Sequence, residues 1–225
     1  MRSFRRREAV IIDSVQKFTI TQSLHEKDPH TPIAEHLLLQ KRASLQELMK
    51  DTHFTARELK SLYRSFKATA PTALIHRDML RTIFAEFFRR GDVEFYSDLV
   101  FCAINTSQNG FITFAEFVRT LSILCRGGID ERIEWLYRIY DPMQNGYVSW
   151  QRLLHVMTAV DDLVEISRRR PNTLDENVLR AKDLFSKFNP DINGVIRKET
   201  FIETCRRDSN IANNINTLQS VLIFR

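Results

Sequence analysis

Apolar residues along this chain recur with helical spacing. Leu80, Ile83, Phe84, Phe87 and Phe88 fall on one face of a helix, and Leu174, Val178, Ala181, Phe185 and Phe188 on one face of another. Ile211, Ile215, Leu218 and Leu222 trace a further amphipathic segment, and Leu37, Leu38, Leu45 and Leu48 mark an extra helix over His36–Met49. Helix starts are signposted too. Thr55 with Glu58, Thr113 with Glu116 and Thr173 with Glu176 have capping-box spacing, in which a threonine hydroxyl and a glutamate three residues on satisfy each other's backbone amides. The pattern predicts an all-α chain, interrupted at Arg126-Gly127-Gly128, the natural hinge between two halves.

The turns between these helices repeat. Asn105-Thr106-Ser107-Gln108-Asn109-Gly110-Phe111-Ile112-Thr113-Phe114-Ala115-Glu116 places oxygen donors at alternate positions, a glycine at the sixth and a glutamate at the twelfth. That is the outline of an EF-hand loop, where the glycine makes the sharp turn and the last acid closes the shell around calcium. The outline recurs at Asp141–Arg152, with Gly146 and Val148, and at Asn189–Thr200, with Gly194 and Ile196. Aromatic residues lead into each: Phe101, then Tyr137 and Tyr140, then Phe185 and Phe188. EF-hands work in pairs, so a fourth is expected. One repeat before Gly110 stands Ala73, with Ile75 after it and Tyr63 and Phe66 leading in; Ala70-Pro71-Thr72-Ala73 is read as a degenerate first loop. The fold class expected is therefore all-α, with four EF-hands in two paired lobes. Short two-residue strand contacts join the paired loops, and a C-terminal amphipathic helix follows. Residues 1–50 form a variable basic region, 51–126 the first pair and 127–225 the second.

Calcium needs six to eight oxygen ligands, several of them carboxylate. The first loop has Met79 at its last position, so binding there is not expected. The second offers Asn105, Ser107, Asn109, the Phe111 carbonyl, Thr113 and Glu116, with a single negative charge. Two readings of it stand: a metal-free structural turn, and weak occupancy by calcium or magnesium. The third begins correctly with Asp141 and has Asn145, but Met143 and Arg152 replace two ligands, and Arg152 sets a cation where a carboxylate belongs. The fourth keeps Asn189, Asp191 and Asn193 but ends in Thr200, with Glu199 one residue early, about 100° around the helix. Calcium is thus expected to be weak or absent as a cofactor.

Charge agrees with worn loops. The chain has 225 residues, 43% apolar, and a formal net charge of +5, which is the result of losing loop carboxylates. No apolar run approaches the roughly 20 residues a membrane helix needs. Arg2 argues against N-myristoylation, and the start lacks a signal peptide's apolar stretch. The three cysteines, Cys102, Cys125 and Cys205, are scattered and form no CxxC, as expected of reduced thiols in a cytoplasmic protein. The six histidines lack metal-ligand spacing, and no GxSxG, P-loop or HExxH occurs, so an enzyme is not expected. Arg2, Arg5, Arg6 and Arg7 form a basic tip, read as a solvated tail or as a peripheral contact with anionic lipid. Arg168-Arg169-Arg170-Pro171 is read as an exposed connector.

These residues resemble the neuronal calcium sensor family, and within it the Kv channel-interacting branch, the calsenilin group. The stretch Thr52–Lys67 is similar to that family's first helix, and Ala70-Pro71-Thr72-Ala73 stands where the family has Cys-Pro-Ser-Gly. Phe87-Phe88-Arg89-Arg90-Gly91-Asp92, Leu121–Gly127, Leu136 to Asp141 and Asp208–Ile211 also match. The resemblance runs from Leu45 to Leu222. It implies a regulatory subunit or sensor whose apolar groove receives an amphipathic helix of a target protein. In the channel-interacting branch the target is the cytoplasmic N-terminus of A-type voltage-gated potassium channels, reached at the inner face of the plasma membrane. Groove candidates are Phe84, Phe87, Phe88, Phe95, Phe101, Phe114, Phe117, Leu121 and Leu124, a helix-in-groove mode. With 16 Phe against 5 Met, the groove is expected to be rigid and selective. Relatives bind calcium at the third and fourth loops, both broken here, so target binding is expected and calcium switching is in doubt. Two alternatives stay open: a genuine calcium sensor acting through the second loop, and a calsenilin-like DNA-binding repressor, nucleic acid being the weaker partner class.

Overall fold

A computed structural model describes residues 44–88, 91–163 and 173–208 of the chain. The expectations for the N-terminal arginines, for the arginine connector at residues 168–171 and for the final amphipathic helix lie outside the described residues. Among those described, the elements run α1 (Leu45–Asp51), α2 (Ala56–Thr69), β1 (Leu74–Ile75), α3 (Arg77–Phe87), α4 (Glu94–Ile104), β2 (Ile112–Thr113) and α5 (Phe114–Arg126). They continue α6 (Ile129–Tyr140), β3 (Tyr147–Ser149), α7 (Trp150–Leu163), α8 (Thr173–Lys187), β4 (Val195–Arg197) and α9 (Lys198–Arg207). The chain is mostly helical, and a helix–turn–strand–helix arrangement occurs four times among the described residues. β1 pairs with β2, and β3 with β4. The second ribbon is antiparallel, with Val148 opposite Ile196. Among the described residues no helix is long and apolar enough to cross a membrane.

The helix starts follow the local chemistry. Thr55 and Glu58 form the expected capping box of α2, and Ser44 with Glu47 forms one on α1. The box expected at Thr173 involves a side chain outside the described residues. The helix read over His36–Met49 does not run unbroken: Ser44 is extended and caps α1, which starts at Leu45 and runs on to Asp51, and the residues before Ser44 lie outside the described ones.

The chain divides into two compact units. The described part of the first comprises residues 44–74 and 113–126; that of the second, 75–88, 91–112, 127–163 and 173–208. The break at Arg126 and Gly127 coincides with the hinge read from the sequence, but α3 and α4 belong with the later helices. The physical reason lies in α4, which buries Tyr96, Ser97, Leu99, Val100, Phe101, Ala103 and Ile104. A helix apolar nearly all round needs several neighbours, and α4 packs on α3, α6 and α7.

In the first unit Leu48, Phe54, Leu59, Leu62 and Val118 make a small core, with Phe114, Ala115 and Leu121 packed against it. In the second, Phe201 stacks on Phe188 at 4.9 Å and meets the rings of Tyr137 and Tyr140. The turn between α3 and α4 runs against the end of α7. There the Asp92 amide donates to the Asp162 carbonyl at 3.0 Å.

Candidate functional site

Four turns carry the candidate chemistry, and each has left-handed backbone at the equivalent place. Gly110, Gly146 and Gly194 have φ of +86°, +84° and +67°, and Ala73, where the sequence lacks glycine, has φ +62°. Glycine takes that conformation without strain; alanine does not.

The turn Asn105–Glu116 is shared between the units, which part between Ile112 and Thr113. On one side Asn105 is buried, and its Oδ1 accepts from the Ser107 hydroxyl at 3.3 Å. The Asn109 Oδ1 accepts from the Phe111 amide at 2.9 Å. On the other side Glu116, only 7% exposed, accepts from the Thr113 amide and hydroxyl at 2.9 and 2.8 Å. The acid is thus folded back as the predicted capping group of α5. Its Oε2 is committed to Thr113, and that oxygen would have to leave the cap to bind a metal. On the side of the second unit the side-chain donors are amides and a hydroxyl with no carboxylate, a poor set for calcium.

The turn Asp141–Arg152 is wired from within. Asp141 is 3% exposed, and its carboxylate accepts from the Asn145 amide, the Gly146 amide and the Tyr137 hydroxyl at 2.9, 2.7 and 3.0 Å. Burial and this bond to Asp141 push the Tyr137 phenol's pKa up, keeping it a donor. Arg152, in the first turn of α7, reaches back to the end of α6. Its Nε donates to the Tyr140 carbonyl at 3.2 Å and an Nη to the Ile139 carbonyl at 2.8 Å. Burial lowers the guanidinium pKa, while Cys102 and Asp141 oppose the shift. The donor set does not fit calcium: a cation stands in the closing position.

The turn Asn189–Thr200 behaves alike. Asp191 accepts from the Asn193 and Val195 amides and pairs with the Arg197 Nε at 2.9 Å. Against burial, which would raise it, the Val195 amide, Arg197 and the Asn193 amide together hold the Asp191 carboxyl below its usual range. Asn189 is exposed with φ +47°, and Thr200 is half-buried on α9. Among the described residues no three His, Cys, Asp or Glu side chains converge as a metal site.

The groove candidates divide between the units. In the second, Phe84, Phe88 and Phe101 are buried. Phe84 lies against Phe88 and Tyr96, and Phe101 lies under the Arg77 guanidinium at 4.7 Å. Phe95 is 52% exposed and meets His155 edge-on. The Phe87 side chain is outside the described residues. In the first unit Phe114, Phe117, Leu121 and Leu124 are half-buried along α5. Phe114 touches Tyr63 and Phe66, and Phe117 touches Phe66.

Sequence reasoning missed two features. The Arg126 guanidinium stacks on Phe54 at 4.6 Å and donates to the His53 carbonyl and to Glu58, a meeting of residues 68 to 73 apart that no local pattern announces. Arg152 was readable only as a charge hostile to metal; its bonds to α6 needed the turn's shape. No protein-family model matches the chain.

Proposed function

We propose that this chain is an EF-hand regulatory subunit that binds the amphipathic helix of a target protein. The target class its resemblance favours is the cytoplasmic N-terminus of an A-type voltage-gated potassium channel. The observation that carries the reading is the fourfold helix–turn–strand–helix repeat, with left-handed backbone at Ala73, Gly110, Gly146 and Gly194 and strands paired two by two. Short antiparallel contact between successive loops is how such hands support each other.

The surface offered to a helix is narrower than the sequence suggested. Phe84, Phe88 and Phe101 are taken up by the core of the second unit, whereas in the first Phe114, Phe117, Leu121 and Leu124 keep apolar surface along α5. Half-buried rings on one helix face are what an incoming apolar stripe needs. Calorimetry with a synthetic helix from a channel N-terminus is expected to give the same affinity with calcium and with chelator. Replacing Phe117 and Leu121 together by alanine is expected to weaken it about 30-fold, by loss of apolar contact. No binding by the wild-type chain would sink the channel reading.

A second reading, a weak metal sensor at Asn105–Glu116, is favoured by the sequence spacing of the oxygen-bearing residues Asn105, Ser107, Asn109, Thr113 and Glu116. Glu116→Gln should abolish any metal response if that reading holds.

A further inference from the structure

In a metal-loaded EF-hand the ion does mechanical work. It sits by the end of the entering helix and, through the last ligand, holds the start of the exiting helix. In the turn Asp141–Arg152 a direct connection already spans those two places. Arg152 belongs to the first turn of α7, and its guanidinium donates to the carbonyls of Ile139 and Tyr140, the last residues of α6. Those carbonyls lack partners within their own helix, and the helix end carries partial negative charge that favours a cation. An arginine keeps its charge at any physiological pH even when burial lowers its pKa. The carboxylate of Asp141 is meanwhile satisfied by three donors of its own unit, so it has no call on an outside ion.

In the neighbouring turn an arginine again sits within the loop, here paired with a carboxylate. Asp191 is met by Arg197 from the end of β4, and Tyr147 faces Arg197 across the β3–β4 ribbon. The Lys198 amide donates to the Gly146 carbonyl at 3.1 Å, which ties the two turns together. Lys198 also pairs with Glu134, and Arg206 with Asp130, both from α9 onto α6.

We propose that the Arg152 guanidinium, with Arg197 as its counterpart in the paired turn, is a resident cation that replaces a divalent ion. It clamps α7 to α6 and holds this pair of hands in one coupled state without metal. The inference rests on reading the turns as EF-hand loops, although the clamp itself is a matter of hydrogen bonds.

The test uses the full chain. Wild-type melting temperature should be the same in chelator and in millimolar calcium. Arg152→Met, which keeps an unbranched apolar stem and removes charge and donors, should lower it by roughly 4–8 °C with no calcium response. It should also speed amide exchange over residues 141–147 about tenfold. Where Arg152→Met does not fold, Arg152→Lys decides by the same exchange measurement, since a single ammonium nitrogen cannot take the places of the two guanidinium nitrogens that meet these carbonyls. Exchange and melting identical to wild type in these variants would overturn the clamp, as would a calcium-dependent rise in wild-type melting that Glu116→Gln leaves intact. The double variant Met143→Asp/Arg152→Glu returns two acids to the loop. It should melt low in chelator, recover in calcium and bind one more ion than wild type by native mass spectrometry. If Arg152→Met is destabilised but the double variant takes no extra ion, the clamp stands and the EF-hand reading of that turn falls.

Discussion

Ala73 holds a backbone conformation that three other turns assign to glycine. At φ +62° its Cβ crowds the following carbonyl, a strain of about 1 kcal/mol that the β1–β2 ribbon must hold in place. Ala73→Gly should therefore raise stability, by at most about 0.5 kcal/mol after the extra chain entropy of glycine is counted. Urea denaturation measures this; a loss of stability would mean that the methyl group's packing outweighs the strain. That Ala73 occupies the glycine's place was legible from repeat spacing alone. That it does so with left-handed backbone was not, because spacing carries no torsion angle.

Between elements, the closest fit is at Gly91, where the turn from α3 to α4 meets the end of α7. A Cβ there would stand 1.9 Å from the Leu163 carbonyl oxygen, a backbone atom that cannot step aside cheaply. Gly91→Ala should cost about 1–3 kcal/mol, read as a lower urea midpoint. An unchanged midpoint would mean the turn can withdraw from α7. The capping glutamate of α2 yields a pH prediction. The Arg126 guanidinium beside it, with help from Thr55, holds the Glu58 carboxyl at about 2, against an ordinary 4.5. The folded pKa is depressed, so the stabilisation is complete above about 4.5 and is lost as pH falls towards about 2. Glu58 is 39% exposed, and solvent screening leaves about a third of the full linkage, so the expected loss is about 1 kcal/mol. Acid titration of stability from pH 5 to pH 2 should show wild type losing about that much more than Glu58→Gln. Parallel curves would dismiss the pair. The capping box was visible in the sequence as Thr55 with Glu58; Arg126 joining it was not.

At the scale of the molecule, the excess of positive charge has a structural sense. Arg152, Arg197, Lys198 and Arg206 lie where they meet carbonyls and carboxylates of the second unit rather than solvent alone. The binding prediction belongs at this scale as well, since α5 lies in the first unit and the arginine clamp in the second. Affinity for a helix that is indifferent to calcium is the joint expectation of both. The sequence alone determined the helices, their caps, the turn positions and the poverty of carboxylates, because these depend on period, on spacing and on residue chemistry within a few positions. Only the tertiary structure decided which phenylalanines are core and which remain half-exposed. It alone placed α3 and α4 with the later helices, and it alone showed Arg152 acting as a tether rather than a mere repulsion. Those outcomes turn on contacts between segments distant in the chain, and burial is settled by the neighbours a face finds, not by the face itself.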